Sequence, residues 1–191
     1  MAKQLVLGSV LGSVILFVWS AMAWMLIPWP GEPLRGFTNE DAVEQAIVAN
    51  APTSGNYLLP NAEKKGLTSE QQQKAMEKMA RGPMMFASVR REPMGSMGKY
   101  MVIQFLTQFI VALLVTFLLL QTSGLSYTGR VVFITAIGVI IFVGGHVDEW
   151  NWWSFSNAYM LMQLGAIVIG WFLASLLMSS VVNGKPAATS L

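Results

Sequence analysis

The sequence predicts an all-α membrane protein: four transmembrane helices with a small α+β extramembrane cap between helices 1 and 2. Three observations predict it. Residues 5–27, 101–120, 131–147 and 157–182 form four stretches of 17 to 26 residues without one Asp, Glu, Lys or Arg. An α-helix rises about 1.5 Å per residue and the hydrocarbon core is about 30 Å thick, so roughly 20 apolar residues cross it. Hydrophobic residues make up 54% of the chain and charged ones only 12%, which is about half the share usual in soluble proteins. Of the 22 charged residues (12 Lys and Arg, 10 Asp and Glu), 17 fall within residues 28–99. Charge is confined to one segment, as expected when a charge at mid-bilayer costs at least ~2.5 kcal/mol.

The chain therefore divides into a first helix (1–27), a cap (28–99), three further spans (100–182) and a tail (183–191). Lys3, the apolar run after it and Ala21-Met22-Ala23 have the order of a cleavable signal peptide. The apolar run continues through Trp24, Met25, Leu26 and Ile27, long enough to span, and this predicts a retained signal anchor. Lys3, Arg130 and Lys185 stand in the termini and one short connection, while the other short connection carries Asp148 and Glu149. Cations in short loops favour the cytoplasm. Both termini are thus expected inside a bacterial inner membrane, with residues 28–99 extracytoplasmic. Arg90, Arg91 and Lys99 argue the other way, but a loop of this length crosses largely regardless of its charge.

Within the cap, Pro28 and Pro30 stop the first helix, because proline lacks the amide hydrogen. Thr38-Asn39-Glu40-Asp41 resembles a capping box opening a helix to about Asn50, and Ala51-Pro52 closes it. Thr68-Ser69-Glu70-Gln71 opens a second helix that Gly82-Pro83 terminates. Residues 56–60 read as extended, and 84–90 as a strand to pair with the segment around Tyr57. So small a unit buries little apolar surface by itself and is expected to lie on the membrane or on a partner.

Several function classes drop out. With no cysteine, disulfides, thiolate metal sites and cysteine nucleophiles are impossible. A net charge of +2 gives no basis for nucleic-acid binding. No phosphate-cradling glycine loop, serine elbow, HExxH or CxxCH is present, so no cofactor is expected. Matched halves of the inverted-repeat transporter kind are also missing.

Gly8 and Gly12 form a GxxxG step in the first span, and Ala166, Gly170 and Ala174 a similar stripe in the fourth. Small residues four apart let helix backbones approach closely in lipid. Gln104 and Gln108, one turn apart in the second span, and Gln163 in the fourth put three amides in the membrane. They are expected to bond across helices as glue; the alternative is a polar path for a small solute or headgroup. His146, Asp148 and Glu149 lie among Trp150, Trp152 and Trp153 at the end of the third span. His and carboxylates suit a metal or acid–base chemistry, yet this spacing gives at most an incomplete site. The expected role of the segment is an interfacial turn, with its indoles at headgroup depth and no metal. Trp24 and Trp29 are expected to anchor the first span at that same interface, with Trp19 packing against a helix. The methionines read as irregular packing rather than a copper array.

The functional expectation is a non-catalytic accessory, scaffold or assembly subunit of an envelope complex, in contact with lipid and with other subunits or its own copies. A solute or lipid transporter using the glutamines is the alternative. Third comes a lipid-acting enzyme relying on His146 with Asp148 or Glu149.

Overall fold

The computed structural model describes residues 1–183; the tail beyond, with Lys185, lies outside the described residues. The chain forms two compact units. The first comprises Met1–Pro33, Ser96–Asn151 and the chain from Phe155 onward, and the second Leu34–Gly95 with Trp152–Ser154.

The first unit is a bundle of four helices long and apolar enough to cross a membrane. They are α1 (Ala2–Met25), α4 (Met97–Gln121), α5 (Tyr127–Trp153) and a fourth built in three parts. Its parts are α6 (Asn157–Leu164), a π-helical segment (Gly165–Ile169) and α7 (Gly170–Val181). Helix α1 packs against both α4 and α7. At Gly8 a Cβ would stand 2.6 Å from Val182 Cγ2 and 2.7 Å from Thr116 Cγ2; at Gly12 it would stand 2.7 Å from Met178 Sδ. The absent side chains are what allow this approach. The core gathers Leu16, Ala112, Val115, Leu119, Ile134, Trp171, Ala174 and Met178. Buried hydroxyls bond back to their own helices, as from Ser9 to the Leu5 carbonyl (2.6 Å) and from Thr116 to Ala112 (2.7 Å). These two therefore reach lipid depth without an unpaired donor, whereas the buried Ser179 Oγ has no partner among the described residues.

Helix α5 buries only Ile134 and Gly138. Gly138 lies against Trp171, where a Cβ would come within 2.6 Å of the Trp171 Cβ. Arg130, near the start of α5, donates from Nε and Nη2 to the Ser179 carbonyl at 3.2 and 3.0 Å. Ser179 is in the last turn of α7, where unpaired carbonyls favour a cation. The residue expected to mark sidedness thus also clamps α5 to α7.

Helix α5 corrects one expectation. The third span was expected to end near Val147 and give way to an interfacial turn, yet the helix runs unbroken through Trp153. Gly144 and Gly145 are helical, and Ser154, at φ 60°, makes the reversal. The ends are tied by Trp150 Nε1 donating to Asn157 Oδ1 at 2.8 Å and Phe155 N–H to the Glu149 carbonyl at 3.3 Å.

The second unit contains α2 (Glu40–Asn50), α3 (Ser69–Arg81) and an antiparallel pair, β1 (Gly55–Leu59) with β2 (Met85–Val89). Tyr57 stands opposite Ala87 in the register. Thr68 and Gln71 form the expected capping box on α3. The N-cap of α2 is Asn39 rather than Thr38: Asn39 Oδ1 accepts from Ala42 N–H at 2.9 Å. An Asn side chain satisfies a first-turn amide as well as threonine does. Arg91 closes the other end of α2, donating from Nη1 to the carbonyls of Val48 and Ala51 at 2.9 and 3.2 Å. Phe86 meets Trp153 with ring centroids 4.6 Å apart.

Candidate functional site, an amide-lined cavity in the membrane bundle

All four spans contribute to one cavity of about 280 Å³. Leu16, Ser20 and Trp24 come from α1, and Gln104, Gln108 and Val111 from α4. Helix α5 adds Ile141 and His146, and the fourth span adds Gln163, Ala166, Ile167 and Trp171. Gln104 and Gln108 reach it because residues four apart share a helix face.

The three glutamines do not act as the expected glue. None of Gln104, Gln108 or Gln163 hydrogen-bonds to another residue among those described; they line the same wall space instead. Gln104 is exposed and the other two are half-buried. Each carboxamide offers two donors and an acceptor oxygen, and such groups at lipid depth are costly unless paired.

The fourth span shapes the cavity through its π segment, a feature that sequence reasoning missed. A π turn inserts one residue and re-aims the side chains around it, and is frequent at functional sites. Here it carries Ala166 and Ile167, just after Gln163. Trp19 Nε1 donates to the Ala166 carbonyl at 3.0 Å. Gly170 leaves room for the Trp19 indole, which a Cβ there would approach to 2.7 Å. The stripe Ala166, Gly170 and Ala174 is thus used inside this chain, as are Gly8 and Gly12.

Trp24 and Trp29, the expected anchors of the first span, lie beside the cavity and the π segment respectively. Trp24 lines the cavity and meets Tyr159 edge-on at 6.5 Å. Trp29 donates from Nε1 to the Ala23 carbonyl at 2.6 Å, and its ring occupies the space over Gly165. Trp24 stays half-exposed, whereas Gly165 of the π segment leaves room for the Trp29 ring.

Because α5 stays helical, His146 and Glu149 are three residues apart on one face. His146 Nδ1 pairs with Glu149 Oε2 at 2.8 Å, and the imidazole stacks on Phe142. Asp148 is exposed and outside the pair, and among the described residues no group of three His, Asp or Glu is placed to hold a metal. Trp150 and Trp152 are exposed, while Trp153 lies against Phe86.

A second recess, about 380 Å³, is lined by Phe142, Val147, Trp150, Asn157, Met160, Leu161 and Leu164. Its Asn157 already accepts from Trp150, so it offers little beyond apolar surface. Comparisons with protein-family models, curated proteins and solved structures gave no match to this chain.

Proposed function

We propose that this chain is a non-catalytic membrane protein that receives a small uncharged, hydrogen-bonding molecule in the amide-lined cavity, as a solute or lipid carrier or channel component. One observation carries the reading: three carboxamides from two spans, without partners among the described residues, line a single cavity. A dry, glued bundle would pair them. The setting proposed is a bacterial inner membrane, with the N-terminus cytoplasmic and residues 28–99 extracytoplasmic, on the distribution of cations in the short loops.

The chain has no cysteine, so single replacements can be read without background. Gln108→Cys and Gln163→Cys in proteoliposomes should react with a small methanethiosulfonate reagent, and Thr116→Cys, from the buried core, should not. Unreactive cysteines at both 108 and 163 in folded protein would overturn the reading.

A second reading, an accessory subunit of an envelope complex, is supported by the cap. Neither α2 nor α3 buries a residue, and Leu34, Phe37 and Met76 are exposed. Such a unit gains from a covering surface. Native pull-down in mild detergent with and without Phe37→Glu and Met76→Glu tests it; recovery of the same proteins in both would count against it.

A further inference from the structure

Helix α5 is held unevenly along its length. Across the apolar stretch of each span, 11% of the residues are buried in α5, against 28% in α1, 22% in α4 and 39% in the fourth span. Both residues that α5 buries, Ile134 and Gly138, lie in its first half, and none lies between Val139 and Trp153.

The start of the helix is clamped. The Arg130 guanidinium donates from Nε and Nη2 to the Ser179 carbonyl at 3.2 and 3.0 Å, and from Nη1 to the Leu125 carbonyl at 2.8 Å. Three bonds from one charged, planar group hold more firmly than neutral bonds do. Further along, Gly138 lies against Trp171 with no side chain to interlock with the indole, so the two surfaces can slide. Near its other end α5 has an attachment of a weaker kind. Trp150 Nε1 donates to Asn157 Oδ1 at 2.8 Å, and both residues are exposed. A neutral bond in the open is readily exchanged for others, so its net worth is small.

Between Gly138 and that bond, Ile141 and His146 form the share of the cavity wall that α5 contributes. Val139, Ile140 and Val143 in the same stretch are exposed. This wall is built from a stretch without a buried residue, the kind of segment that opens at low free energy.

We propose that α5 is the movable wall of the cavity, tilting about the Arg130 clamp, with the Trp150–Asn157 bond as the latch that holds it closed. The proposal rests on the cavity reading above and names what varies access to that site. The hydrogen-bond ladder of α5 is unbroken through Trp153, so the helix moves as a rod and displacement grows with distance from the clamp. Val143 lies about 20 Å along the axis from Arg130, so a tilt of about 15° carries it about 5 Å. The same tilt moves Val132, two residues beyond the clamp, by less than about 1 Å.

The test uses the full chain in phosphatidylcholine nanodiscs, where the absence of native cysteine lets nitroxide pairs be placed without background. One pair, Ile103→Cys with Val143→Cys, reports the second half of α5 against α4. The other, Leu118→Cys with Val132→Cys, reports the clamped half. All four sites are exposed. Double electron–electron resonance distances are read for each pair with Trp150 in place and with Trp150→Phe, which removes the latch donor. The first distribution should shift or broaden by about 5 Å and the second by less than about 1 Å. Should Trp150→Phe fail to fold, Asn157→Ala removes the acceptor and gives the same comparison. No change at either pair, or equal changes at both, would overturn the proposal. An unmoved α5 with reactive cysteines at 108 and 163 sinks this inference alone. A tilting α5 with both cysteines unreactive sinks the cavity reading and leaves the tilt standing.

Discussion

The two halves of the bundle are built on opposite principles. In one, Gly8, Ser9, Gly12 and Ser13 of α1 are buried, with Ala112, Val115 and Thr116 of α4 and Ala174, Ser175 and Met178 of α7. In the other, the same three spans present Ser20, Trp24, Gln104, Gln108 and, from α6, Gln163 to a cavity. Lipid tails are as apolar as leucine, so association in the membrane rests on close van der Waals packing and hydrogen bonds. Small side chains seal the first half. Indoles, amides and the π segment hold the second apart. A site inside such a bundle arises where the small-residue pattern stops.

The contrast can be broken most sharply at Gly8. A leucine there would drive its Cβ into Val182 and Thr116, whose branched side chains are stiff. The expected loss is about 3 kcal/mol of bundle stability in detergent unfolding. Gly12→Leu should cost less, since the atom it meets first belongs to the adaptable Met178 thioether. Equal costs would show that the seal does not depend on side-chain stiffness.

Trp19→Phe probes the boundary between the halves. Losing the bond to the Ala166 carbonyl should cost about 1 kcal/mol by the same unfolding measurement. On the hollow side, Gln163→Leu should be neutral or stabilising by roughly 0.5 kcal/mol, because the amide it removes has no partner among the described residues. A destabilisation above about 1 kcal/mol would mean that the amide is bonded after all.

The smallest effect belongs to the cap. Glu92 Oε2 accepts from Ser54 Oγ at 2.5 Å, and that bond, with help from backbone amides and the Arg90 charge, holds the carboxyl below its ordinary value. A carboxylate depressed in the folded state stabilises it above the unfolded pKa, and the contribution is lost as pH falls through the folded value. The loss is therefore confined below the usual glutamate pKa of about 4.3. Ser54→Ala should raise the Glu92 midpoint in an NMR titration without moving resonances of the bundle core.

Much of the fold was legible because it follows from local chemistry. Gly82-Pro83 ends α3 where proline and glycine require it, and Thr68 with Gln71 caps its start. The pairing of the segment around Tyr57 with residues 85–89 followed from two short extended runs between helices. The candidate site was legible only in part. Gln104, Gln108 and Gln163 stood out as polar residues in apolar helices, but whether they bond to each other depends on how far apart their helices stand. In a turn His146 and Glu149 are poorly spaced; three residues apart on a helix, they pair.

Apolar length and the banishment of charge, both properties of residues taken one at a time, determined four membrane helices and a polar insertion. The tertiary structure alone decided that the small-residue stripes close upon each other within this chain, that a π turn opens the fourth span beside Gln163, and that three amides and an imidazole share one cavity. Spacing between helices is set by the largest side chain at each crossing, and no single segment of sequence contains both sides of a crossing.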